Sequence, residues 1–197
     1  MIVDGADRRR EADHRDGGWR RGHYGGMDIA DLLADGFDRV RESVRGAVEG
    51  LTEEELTARL DPGANSIAWL VWHLTRVQDD HVAAVAEIEQ VYTAKGWANR
   101  FDFPFDDAAI GYGQDSADVA AVRVADPALL LDYYEDVHQQ TLKYVRGLTA
   151  ADLDRVVDEA WDPPVTLGVR LVSVIDDDLE HAGQAAFVRG VLERRRG

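Results

Sequence analysis

Four segments of this chain carry apolar residues at three- and four-residue steps, and they fall into two copies of one unit. The first runs from about Asp28 to Glu49, with Ile29, Leu33, Phe37, Val40, Val44 and Val48 in phase. That period places one apolar stripe along an α-helix. The second runs from about Ser66 to Val91 and is marked by Ile67, Leu70, Leu74, Val77 and Val85, after candidate caps at Asn65 and Ser66. The third runs from about Pro127 to Arg146, with Asp126 as cap and Pro127 in the first turn. The fourth runs from about Leu167 to Arg194, after the Pro163-Pro164 break and a candidate Thr166 cap. Between the long segments the chain repeats itself: Gly-Leu-Thr-Glu-Glu-Glu-Leu at Gly50–Leu56 is matched by Gly-Leu-Thr-Ala-Ala-Asp-Leu at Gly147–Leu153. Each Thr precedes an acid by three positions, which starts a short helix. Each half then passes through Asp-Pro, at Asp61-Pro62 and Asp162-Pro163. Two helix-hairpin halves that bury each other's stripes predict an all-α fold, an antiparallel four-helix bundle. Residues 92–126 join the halves as a crossover longer than an ordinary bundle connection. It carries Trp97, Phe101, Phe103, Phe105 and Tyr112. Such a segment either covers an open end of the core or walls a ligand pocket, and both readings stand.

Residues 1–26 break the pattern, with six Arg and five acidic residues and almost nothing apolar. They cannot bury enough surface to offset the entropy of ordering, so we expect a disordered tail ahead of one bundle domain at 27–197. The same stretch lacks the apolar core of a secretory signal. No apolar run approaches the ~18 residues of a membrane span. A cytoplasmic protein without a membrane partner is expected. The net charge of −16, from 22 basic and 38 acidic residues, repels phosphate backbones and predicts no nucleic-acid partner. The chain has no cysteine, which excludes disulfides, thiolate-ligated metals and a catalytic cysteine. A metal must sit on His and carboxylate groups, and thiol chemistry needs a thiol from outside.

One set of residues meets that requirement. His73 lies on the apolar stripe of the second segment, between Leu70 and Val77. Asp177 and His181 lie four apart on the fourth segment, which stacks them on one helix face about 6 Å apart along the axis. A third ligand from a neighbouring helix completes an open site that suits zinc and similar divalent ions, with nickel also possible. The plainer reading is that Asp176, Asp177, Asp178 and Glu180 solvate one face of the helix. Asp178 rivals Asp177 as the carboxylate. His138 is a candidate acid or base, or a structural histidine. Arg76 is a candidate for attracting an anionic substrate, or pairs with Asp79 or Asp80 on the surface. His81, two turns beyond His73, is expected at the rim of the site or at the surface. Gln184 can hydrogen-bond a ligating residue or be surface. Gly183 reads as a close helix approach.

Asn-Ser-Ile-Ala-Trp-Leu-Val-Trp-His-Leu at Asn65–Leu74 resembles the second-helix motif of the DinB-like superfamily, which includes mycothiol-dependent metalloenzymes. There a His near the middle of the helix is a metal ligand. Asp-Asp-Leu-Glu-His-Ala-Gly-Gln at Asp177–Gln184 is similar to that superfamily's last-helix motif, His-x-x-x-His-x-Gly-Gln. The resemblance covers about residues 27–194. It implies His73 and His181 as metal ligands, with Asp177 in place of the commoner His. Maleylpyruvate isomerases of the superfamily carry a carboxylate at the corresponding position. The resemblance further implies a metal-dependent transferase that activates a low-molecular-weight thiol, mycothiol or bacillithiol, against a small-molecule electrophile. The competing expectation is a non-catalytic homodimer that holds a metal or ligand. The discriminator is whether the fourth metal position opens to a pocket.

Overall fold

The computed structural model describes residues 26–196; the expected disordered tail falls on residues outside that range, apart from Gly26. Four long helices dominate. The first, α1 (Ile29–Val48), is capped by the Asp28 carboxylate, which accepts from Asp31 N at 2.9 Å. A short α2 (Glu53–Thr57) follows a full capping box, Thr52 with Glu55. Ser66 then caps α3 (Ile67–Ala86). The crossover holds three short helices, α4 (Val91–Ala94), α5 (Trp97–Phe101) and α6 (Ser116–Ala121). Asp126 and Pro127 start α7 (Pro127–Val145). The second copy of the short element is a 3-10 turn, Ala150–Asp154, where the Asp152 carboxylate accepts from Thr149 N at 2.7 Å. A small antiparallel ribbon, β1 (Val156–Asp158) with β2 (Val165–Thr166), leads into α8 (Leu167–Arg196).

Contacts between helices fix their directions. Gly36 of α1 lies beside Ile175 of α8, and further along both helices Arg189 donates to the Gly46 carbonyl; α1 and α8 run the same way. His138 and Glu135 of α7 meet Asp38 and Arg41 of α1 in reverse order. Gln78 bonds Thr141, and the Val85 carbonyl accepts from Tyr144, so α3 and α7 run the same way. Around the bundle the order is α1, α8, α3, α7. The two long helices of each half are antiparallel, as the hairpin pattern implies, but they face each other diagonally. Because α3 and α7 are parallel neighbours, the chain must return along the whole bundle between them. A 20-residue α3 makes that return about 30 Å, which accounts for the length of the crossover.

The crossover covers the outer side of α3. That is why residues from Ile67 through Asp79 are all buried, charged ones included. Trp97 and Phe101 are buried in the main core, and Phe103 and Phe105 pack against it. Of the crossover aromatics, these four cover the core, while Tyr112 is 80% exposed. The second long helix ends at Ala86, not near Val91, because Glu87 turns left-handed at φ 56° and Ile88 N reaches back to the Ala83 carbonyl.

One buried pair fastens this arrangement. Arg76 is 0% exposed and Asp79 1% exposed; Nη1 of the first lies 3.6 Å from Oδ2 of the second. The Asp79 carboxylate accepts from Val91 N and Tyr92 N at 2.8 Å each, and from the Tyr133 hydroxyl at 3.0 Å. Burial still lifts its carboxyl above the ordinary range, against those donors and Arg76. Arg76 donates to the Asp107 carbonyl at 3.0 Å and the Ala109 carbonyl at 3.1 Å, and its guanidinium sits 4.1 Å over the Tyr92 ring. Asp79→Ala should cost about 3–5 kcal/mol, the usual loss when one member of a buried pair leaves the other unpaired. Denaturant unfolding measures it; a loss below 1 kcal/mol would place this pair with surface bridges.

Candidate metal centre

Antiparallel packing of α3 on α8 brings His73, Asp177 and His181 together. One ligand atom from each lies within 4.8 Å of the others, and the two imidazole centroids are 4.7 Å apart. Each ring is oriented by a carbonyl. His73 Nδ1 lies 2.5 Å from the Ile110 carbonyl, and His181 Nδ1 lies 2.8 Å from the Asp177 carbonyl. A carbonyl only accepts, so Nδ1 carries the proton in both rings and Nε2 keeps its lone pair. Asp177 Oδ2 is buried, lies 3.4 Å from His181 Nδ1, and has no hydrogen-bond partner among the described residues. Two imidazole nitrogens and an unsatisfied carboxylate oxygen suit zinc or nickel.

The electrostatics follow from burial and contact. Burial lowers the His73 imidazole, opposed by its bond to Ile110. Asp177 raises His181 against the burial that lowers it. Burial would raise Asp177, but His181, with His73 and His81 behind it, holds it below the ordinary carboxylate range.

The crossover supplies the outer wall. Trp69 stacks on His73 with centroids 4.6 Å apart, and its indole N–H donates to Gln114 at 2.6 Å. Gly111 adopts φ +98°, and a Cβ there would fall 2.5 Å from His73 Nδ1 and 3.2 Å from Trp69. Both the positive φ and the close approach demand glycine. The result is an open cavity of about 310 Å³, lined by Trp69, His73, Tyr112, Gln114, Asp177 and His181 among others.

The remaining sequence candidates lie elsewhere. Asp178 is 0% exposed, and neither carboxylate oxygen has a partner among the described residues. Burial, with Asp177 adding to it, pushes its carboxyl well up. One residue is about 100° of helix, enough to turn Asp178 into the core while Asp177 faces His73. Arg76 is no surface residue and does not line the cavity; it holds the loop that ends in Ile110. His138 is buried on α7, where its Nε2 lies 3.0 Å from Asp38 Oδ1, outside the cavity. Gln184 is exposed, and its side chain makes no hydrogen bond among the described residues. Nothing lies within 4 Å of a Cβ at Gly183, so it marks no close approach. His81 lines the neighbouring cavity. Sequence reasoning missed the Ile110 carbonyl, since a backbone acceptor leaves no side-chain signature; the nearest hint was glycine on both sides of Tyr112.

Two tests follow from this geometry. Gly111→Ala should displace His73 and weaken zinc binding in a calorimetric titration while helicity persists; unchanged affinity would refute the close approach. The ordinary value for His138 is 6.5, and burial lowers it in the fold against the pull of Asp38. Below that pH the unfolded chain binds this proton and the folded chain does not, so stability falls with pH until the lowered value is passed. His138→Gln should flatten that limb of the stability–pH curve in denaturant unfolding, and an unaltered slope counts against it.

Comparison with known proteins places this arrangement. A conserved protein from Enterococcus faecalis is 31% identical, with a TM-score of 0.78 over 83% of this chain and 96% of that one. YfiT from Bacillus subtilis, described as a probable metal-dependent hydrolase with an unusual four-helix bundle topology, is 19% identical, with a TM-score of 0.53 over 83% of this chain and 87% of that one. The second likeness shows the fold alone. A search of curated proteins finds no match. The mycothiol-S-transferase family model matches residues 32–194, and with most of its length covered the chain belongs to that family.

Proposed function

We propose that His73, Asp177 and His181 hold one divalent ion, zinc first and nickel as the alternative, and that the protein transfers a low-molecular-weight thiol of the mycothiol type to a small electrophile. The observation that carries this reading is that one ligand atom each of His73, Asp177 and His181 lies within 4.8 Å of the others, in residues that line an open cavity. When bound, such an ion lowers the pKa of a thiol beside it, so that thiolate forms near neutral pH. The chain contributes orientation and shape. The Ile110 and Asp177 carbonyls fix the two rings, and Asp177 balances part of the ion's charge. Trp69 shields one side of His73 from water, and the open side admits the thiol. The thiol gives up its proton to solvent, its sulfur bonds to the electrophilic carbon, and the displaced group leaves with the pair of the bond that breaks. In the isomerisation variant no group is displaced: the sulfur adds to one carbon of a conjugated double bond, and the π pair moves onto the adjoining carbonyl. After rotation that pair returns to re-form the double bond as the sulfur leaves as thiolate. The absence of cysteine fits a thiol supplied from outside.

Water in the thiol's place makes the same centre hydrolytic, the activity attached to YfiT. The other reading is a non-catalytic, metal-holding homodimer. The outer face of α8 favours a second copy, since Val172, Leu179 and Phe187 are exposed there. Metal analysis of untagged protein, followed by thiol-transfer and hydrolysis assays with that metal restored, separates the three. Asp177→Ala should lower metal affinity by more than the roughly 10–100-fold that loss of an outer hydrogen-bond partner costs, and Asp178→Ala far less. Equal affinities in the two variants would remove the carboxylate from the centre.

A further inference from the structure

The cavity beside His73 does not end at Tyr112. A second cavity of about 310 Å³ adjoins it and shares Tyr112 and Asp177 with it. Along α8 the sequence dictates what this second space contains. Arg170, Ser173 and Asp177 are spaced three and four apart, which sets them on one helix face. Arg170 therefore sits about 10 Å along the axis from the candidate metal ligand. Opposite them, α3 contributes Val77 and His81, and the ribbon contributes Trp161 and Val165. The walls are mostly apolar, and two large rings stand open at the mouth, Trp161 at 67% and Tyr112 at 80% exposure.

Arg170 is the cation of this cavity. Its Nη2 donates to Asp158 Oδ2 at 2.9 Å, which holds the guanidinium in place from the ribbon side. Its Nε and Nη1 have no hydrogen-bond partner among the described residues. Asp158 takes one proton of Nη2, so Nη1 and the second proton of Nη2 still form a planar donor pair at the end of the guanidinium, the geometry that matches a carboxylate. The chain as a whole carries −16 and repels anions, so a site for one must bring its own positive charge to the ligand.

We propose that this second cavity binds the electrophile, and that the electrophile is a small organic carboxylate with a planar, unsaturated body. The carboxylate rests on Arg170, the planar body lies between Tyr112 and Trp161, and the reactive carbon points along α8 toward Asp177. The ligand's identity as the electrophile and the direction of its reactive carbon rest on the thiol-transfer reading; the binding of a planar carboxylate at Arg170 does not.

Phenylacetate and its neutral isostere phenylacetamide test this by quenching of tryptophan fluorescence and by calorimetry, on the full chain with and without zinc. Phenylacetate should bind about tenfold or more tighter than the amide, since a charge-assisted hydrogen bond exceeds 1.4 kcal/mol. The preference should survive removal of zinc. Arg170→Gln should abolish it with zinc affinity unchanged, Arg170→Lys should restore part of it, and Trp161→Ala should weaken both probes. The Lys variant also guards against a Gln variant that misfolds. Equal binding of the two probes, no saturable binding of phenylacetate, or a preference that persists in Arg170→Gln overturns the proposal. A preference seen only with zinc and indifferent to Arg170 places the carboxylate on the ion and overturns it too. A chain that binds no zinc yet shows the Arg170-dependent preference refutes the metal reading alone.

Discussion

The architecture around the candidate centre depends on the buried Arg76–Asp79 pair. From one turn of α3 it reaches the start and the middle of the crossover: Asp79 takes the amides of Val91 and Tyr92, and Arg76 takes the carbonyls of Asp107 and Ala109. The next carbonyl along the chain, that of Ile110, meets His73. A structural ion pair therefore sets the tautomer of a ring on the same helix. Two charges withdrawn from water are costly unless every lone pair and proton finds a partner. Here the partners are main-chain groups of the crossover, so the loop cannot move away without exposing that cost.

Topology explains why a loop is available for this role. Parallel neighbours α3 and α7 force the chain to travel back along the bundle, and the shortest path runs over the outer side of α3. That path buries an otherwise exposed helix face, and so α3 tolerates Trp69, Trp72 and His73 within five residues. The wall of the cavity is a by-product of helix order.

Much of this was legible in the sequence because helical period and cap chemistry are local. The starts at Asp28, Ser66, Asp126 and Thr166 follow from side chains that bond amides two or three residues on. His73 stood out as a polar residue on an apolar stripe, and Asp177 with His181 as a helical pair. What was not legible depends on partners far away in the chain. The phase of α8 against α3 decides that Asp177 faces the cavity and Asp178 the core, and no local signal encodes phase. The end of α3 depends on a left-handed Glu87 and on Asp79 capturing the amides beyond it. Arg76 and His138 read as candidates for chemistry because burial of a charge or a ring by a long loop, or by α1, leaves no periodic trace. The ribbon β1–β2 was missed because strands of two or three residues carry too little alternation to register.

The division of labour between elements has a consequence for descent. The three candidate ligands stand on long helices whose positions are fixed by the core. The open mouths of the two adjoining cavities belong instead to Tyr112 in the crossover and Trp161 in the ribbon, both on irregular chain and both largely open to solvent. Substitutions, insertions or deletions in those two loops change the shape presented to a ligand while leaving the ion-holding geometry untouched. A lineage built this way can exchange one substrate for another by editing its loops, and keep its chemistry as an inheritance of the helices.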